Sequence, residues 1–181
     1  MADRMAAEIR IGGKILADLV PELCGAISAA NVGLEYGEYG FAPDSADDLL
    51  AARTDYDGRL LLVLCDDQAC WGEFEELEEF LREKGIAYER SSEGKYEYSP
   101  TSLFFRPGTR PVEVETTPGR HPIVLADSVA KIERSLTRAL SRLEQGEQKE
   151  ALAALRKVRG RLRGLLPPKI PPLTSLEIVN P

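Results

Sequence analysis

The stretch RLLLVLCDDQACWGEFEELEEFLREKGIAYER, Arg59 to Arg90, decides the fold. Its opening, Leu60-Leu-Leu-Val-Leu-Cys65, is continuously apolar and of strand length, the pattern of a strand covered on both faces. Asp66 or Asp67 then offers an N-cap to a helix whose core stripe is Phe74, Leu77 and Leu81, widened by Phe80. Glu73, Glu75, Glu76, Glu78 and Glu79 fall mostly on its solvent side. Gly85 supplies a left-handed stop, and Ile86-Ala-Tyr-Glu-Arg90 makes the second strand. The unit is β-α-β.

Toward the N-terminus, Ile9 and Ile11 alternate with polar neighbours, which predicts a short strand closed by Gly12-Gly13. A helix over 19–30 follows, with Asp18 as its cap, Pro21 in its first turn and Asn31 as its stop. Residues 32–42 read as strand and turn. Ser45 and Asp48 form a capping box for a short helix to about Arg53.

Toward the C-terminus, Ser91-Ser-Glu-Gly94 reads as a turn into Lys95–Tyr98. Leu103–Arg106, Val112–Glu115 and Pro122–Leu125 read as further short strands, mainly antiparallel. Two helices come next, over about 127–144 and 147–166. Val129, Ile132, Leu136, Ala139 and Leu143 keep heptad spacing in the first. Leu152, Leu155, Val158, Leu162 and Leu165 are the expected buried set of the second. Gly146 joins the helices so tightly that they must run antiparallel. The fold class is therefore α+β: a mixed, largely antiparallel sheet with packed helices, the β-α-β unit at 59–90, and a C-terminal helical hairpin. The expected domains are 1–126, the hairpin at 127–166, and a Pro-rich extended tail at 167–181 in which only Leu176–Val179 packs.

Composition is that of an ordinary globular chain: 181 residues, 43% hydrophobic and 29% charged. The longest apolar run is far short of a bilayer span, and the first residues lack a secretory h-region, so a cytoplasmic location is expected. Three cysteines are too few for a disulfide framework, and one histidine gives zinc little to bind. No cofactor is indicated. Charge is unevenly placed: residues 1–125 carry a net −12, residues 126–166 a net +5. Such asymmetry points to a contact surface rather than to a chemistry.

Two sets of residues are candidates for function. The first is Asp66, Asp67, Cys70 and Trp71, where a buried strand meets a helix; a ligand, phosphate or reactive thiol would suit the place. The bland alternative is a capped helix anchored by Trp71. The second is the basic side of the hairpin: Lys131, Arg134, Arg138 and Arg142 on one helix, Lys149, Arg156 and Arg163 on the other. It fits an acidic protein partner or a second copy of the chain, the homodimer. A solvated face, or one docked on the chain's own acidic part, is the alternative. Nucleic acid is disfavoured by the −12 elsewhere. Gly12-Gly13-Lys14 matches no phosphate-binding loop, and His121 reads as an exposed turn residue. The aromatic set Tyr36, Tyr39, Phe41, Tyr88, Tyr96, Tyr98, Phe104 and Phe105 is interleaved with glutamates, which suits a core or protein contacts better than base stacking. The expected function is therefore that of an interaction or regulatory protein rather than an enzyme.

Overall fold

In the computed structural model, which describes residues 3–95 and 98–180, the apolar run at 60–65 lies inside a strand twice its length. The elements are β1 Arg4–Gly12, β2 Lys14–Leu16, α1 Val20–Ala30, α2 Ala46–Ala51, β3 Arg53–Tyr56, β4 Arg59–Cys70, α3 Glu75–Glu83, β5 Ala87–Ser92, β6 Thr101–Phe105, β7 Val112–Glu115, α4 Ala126–Glu144, α5 Gln148–Leu165 and β8 Glu177–Val179. The fold is α+β, with a six-stranded antiparallel sheet in the order β3-β4-β1-β5-β6-β7. β1 runs antiparallel to both β4 and β5, so the β4-α3-β5 unit is split by β1 between its two parallel strands. This is the double split β-α-β order, extended on one side by β6 and β7.

Antiparallel partners share a face, so register assigns the sides of the sheet. Ile9 opposes Leu64 and Arg90, and Ile11 opposes Leu62 and Tyr88. Apart from the buried Arg90, these residues, with Leu23 and Ile27 of α1 and Leu77 and Leu81 of α3, make the core, and α1 packs on α3. Glu8, Arg10, Val63, Cys65, Glu89 and Ser91 fall on the other side.

Several local expectations change. β4 continues through Asp66–Cys70 because β1 extends back to Arg4 and supplies partners as far as Cys70. Neither Asp66 nor Asp67 therefore caps α3. Its cap is Phe74, whose N–H donates to Glu78 Oε1 at 3.2 Å. Asp18 does not cap α1 either; a 3-10 turn, Ala17–Leu19, leads into that helix, and Asn31 ends it in the left-handed region. Ser45 does cap α2, accepting from the Asp48 N–H, but the helix stops at Ala51 and Arg53 begins β3. The turn from β3 to β4 is Asp57-Gly58, both at positive φ, a hairpin signal that a helix running to Arg53 passes over. Ser91 and Ser92 belong to β5, not to a turn, and Pro122–Leu125 forms no strand. Tyr96 lies outside the described residues.

The chain divides into two compact units: residues up to His121 joined by the segment from Ile170, and Pro122–Lys169. The Pro-rich end is thus part of the sheet unit. β8 pairs in parallel with β2, and Leu173 and Leu176 are buried. Arginines hold the backbone of this strap: Arg53 donates to Leu176 O, Arg59 to Leu173 O and Arg106 to Pro171 O. Gly12 lies beneath it, where a Cβ would run into the Thr174 carbonyl and the Leu61 side chain.

Candidate functional site

Side chains alternate along β4, and this separates the two aspartates. Asp67 Oδ2 accepts from the Gly37 N–H at 2.6 Å and from the Tyr39 hydroxyl at 3.5 Å, fastening the 33–41 loop. Asp66 Oδ1 instead accepts from the N–H of Gln68, a local turn at 2.8 Å. Asp66, Cys70 and Trp71 border one hollow of about 270 Å³ together with Arg4, Glu73 and Phe74; Asp67 does not. β4 is followed by two left-handed residues, Trp71 and Gly72. Trp71 is 44% exposed and stands edge-on to Tyr98, with ring centroids 5.6 Å apart. Among the described residues, no three His, Cys, Asp or Glu side chains are grouped as metal ligands would be. The Gly13 N–H donates to the Thr174 carbonyl, so the Gly-Gly turn is held to the strap, and the His121 backbone N–H donates to the Thr117 hydroxyl across a turn.

The face of the sheet opposite α1 and α3 holds a set that local sequence reading misses. Glu8 lies between Arg10 and Arg120, at 3.4 and 3.0 Å. Arg10 also reaches Glu89 at 3.5 Å and stacks over the Tyr56 ring at 4.5 Å. Arg106 pairs with Glu89 as well. Arg10 is only 6% exposed, although its place in an alternating strand reads as solvent-facing. Its burial is tolerated because carboxylates from the same strand and its neighbour surround it. Beside this cluster is a cavity of about 260 Å³ lined by Tyr36, Ser91, Thr116, Thr117 and Arg120, among others. Among the described residues the buried Ser91 hydroxyl has no hydrogen-bond partner, and Arg120 sits at φ 63°.

Burial, reinforced by Glu8 and Asp67, pushes the Cys65 thiol from 9.0 up to about 11, so at neutral pH it is a thiol and not a nucleophilic thiolate. The raised value has a sign for stability. Below pH 9 folded and unfolded chains both hold the proton. Between about 9 and 11 only the unfolded chain releases it, so stability falls as pH rises. The urea midpoint, followed by Trp71 fluorescence, is expected to drop from pH 8.5 to 10.5, and to drop less steeply in Cys65→Ala.

The hairpin unit is built differently from its expected form. Ala139, Ala151 and Val158 are its buried side chains, whereas Leu152 and Leu162 are 50% and 48% exposed. Each helix covers only the strip facing the other, and small residues fill that strip. At roughly 100° per residue, Val129, Leu136, Leu140 and Leu143 fall within about 60° on one flank of α4, and Lys131, Arg134 and Arg138 within about 60° on the opposite flank. All four apolar residues are exposed. The three cations line a groove of about 650 Å³ together with Arg161 of α5. Arg142 instead pairs with Glu147 at the turn, 4.0 Å away, while Lys149, Arg156 and Arg163 do not line the groove. Of the basic residues the spacing singles out, three converge. Arg161, which completes the set, becomes apparent only from the antiparallel pairing of the helices.

Comparison with known proteins finds no counterpart: no family model, no curated protein and no solved structure matches the chain.

Proposed function

We propose that the chain is an interaction protein that pairs with a second copy of itself through the apolar flank of its helical hairpin. The observation that carries this reading is the run of exposed apolar side chains Val129, Leu136, Leu140 and Leu143 on α4, with Leu152 and Leu162 on α5. An exposed apolar face of this kind, interrupted on α5 by Arg159, is what marks an association surface. Two hairpins laid face to face would cover it and complete a four-helix bundle.

Charge at the rim supports a second copy over an unrelated partner. By helical position, Glu133 and Glu144 border the apolar flank on the outer side of α4. Lys149, Arg156 and Arg163 border it on the outer side of α5. A two-fold axis along the helices lays α4 of one copy over α5 of the other. Glu144 then comes level with Lys149, and Glu133 falls between Arg156 and Arg163. Such an interface is isologous, each acid meeting a base and the reverse.

Light scattering after size exclusion is expected to give a dimer for the full chain at tens of micromolar. Leu136→Glu with Leu143→Glu places two carboxylates in the seam and is expected to weaken pairing by at least about 100-fold, or ~2.7 kcal/mol. Trp71 fluorescence should stay native in that variant, since Trp71 lies in the other unit. A wild-type chain that remains monomeric at 100 µM (roughly the top of the range where such pairing matters) would end the proposal.

A further inference from the structure

We propose that the groove on the basic flank of the hairpin is a binding site for a polyphosphate oxyanion, a ligand carrying two or three linked phosphoryl groups. This goes beyond self-pairing and uses the opposite face of α4, so pairing leaves the groove open. Lys131, Arg134 and Arg138 enter it from α4 and Arg161 from α5, with the Ser128 and Ser135 hydroxyls at its wall. No carboxylate lines it. Among the described residues, none of the four cations has an ion-pair partner; the hairpin's ion pair is Arg142–Glu147, at the far turn. By helical position the acids on this side, Asp127 and Glu150, stand near its two ends.

Four uncompensated positive charges on one groove repel one another, and Arg134 and Arg138 do so at the i,i+4 spacing that opposes a helix. An anion bridging them turns that repulsion into attraction. Guanidinium groups, planar and weakly hydrated, suit phosphoryl oxygens, and three of the four cations are arginines. The Ser135 hydroxyl donates to the Lys131 carbonyl at 2.9 Å and accepts from Arg161 at 3.3 Å. That bond holds the Arg161 guanidinium across the groove instead of letting it trail in water. Gly164 also borders the groove, and a Cβ added there would meet nothing within 4 Å. There is therefore room at this point of the groove wall for a larger side chain. The volume exceeds what a single phosphate fills and falls in the range of small-molecule sites. A linked polyphosphate uses both that space and the charge.

Isothermal titration of sodium tripolyphosphate into the full chain at low salt tests this, with light scattering alongside to follow pairing separately. One saturable site per chain is expected, weakening as salt rises. Arg134→Gln and Arg138→Gln should each weaken it about tenfold or more, as loss of a charge-assisted hydrogen bond does. Gly164→Glu introduces a carboxylate into open space and should abolish binding while helix content by circular dichroism is kept. Arg110→Gln, an exposed arginine of the sheet unit outside both the groove and the pairing flank, should leave affinity unchanged. Three outcomes overturn the proposal: uptake that does not saturate, equal losses in Arg110→Gln and Arg138→Gln, or a single-stranded or duplex oligonucleotide that outcompetes tripolyphosphate on the same residues. The last would make the groove a nucleic-acid surface.

Discussion

Arg90→Met is expected to destabilise the sheet unit by about 3–5 kcal/mol, a large part of what a domain of this size possesses. Arg90 is 2% exposed and projects from β5 toward the helices. Its Nη1 donates to the Gly72 carbonyl at 2.7 Å and its Nη2 to Glu113 at 2.9 Å. Its Nε lies 3.1 Å from Glu78 Oε1, an ion pair without an aligned hydrogen bond. Removing the guanidinium strands the Glu78 carboxylate, itself buried, with only the Tyr88 hydroxyl at 3.0 Å, the Phe74 N–H and a longer contact to Arg82. The same arrangement pushes the Tyr88 phenol well above its usual range, through burial first and the Glu78 charge second. Most of the loss thus comes from a buried charge left with only the longer Arg82 ion pair, so the double variant Glu78→Leu with Arg90→Met should be markedly more stable than Arg90→Met alone. Urea unfolding followed by Trp71, the one tryptophan, reports on this unit without the hairpin. A single-variant loss under about 1 kcal/mol, or a strictly additive double variant, would refute the account.

Leu176→Ala should cost about 2–5 kcal/mol in the same assay, and removal of the segment from Ile170 onward should cost more. Leu176 is fully buried in the main core. Its N–H donates to the Leu60 carbonyl at 2.8 Å, and the next N–H, of Glu177, donates to the Gly13 carbonyl at 2.9 Å. Deleting the strap would also leave Arg53, Arg59 and Arg106 without the carbonyls they hold, and expose Leu61 beside Gly12. Retention of the wild-type urea midpoint by the truncated chain would show that the strap is an ornament on the sheet rather than part of it.

Elements that follow local periodicity were the legible ones: the hairpin helices from their heptads, α3 from Leu77, Leu81 and Gly85, and β4 from its apolar half. The rest depends on partners far away in the chain. Asp66–Cys70 looks like a helix start until β1 is known to run back to Arg4. Arg10 looks solvated until Glu89 is placed beside it. Pro171 and Pro172 correctly exclude a helix, yet nothing near them announces three arginines from β3, β4 and the end of β6. The candidate residues at 66–71 were adjacent enough for sequence to gather them, and the two-residue period of a strand then took Asp67 away from the others. Lys131, Arg134 and Arg138 share a flank by spacing alone, whereas Arg161 joins them through the helix pairing.

The strap also sets an order of events as the chain is made. The sheet unit needs Leu173 to Val179, yet the hairpin leaves the ribosome before them. Synthesis delivers residues at about 5–20 per second, so both hairpin helices are complete while the β2 edge and Leu61 still await their cover. The apolar flank of the hairpin is therefore finished before the sheet unit is closed. The pairing proposed above would then let neighbouring nascent chains on one message meet during that interval.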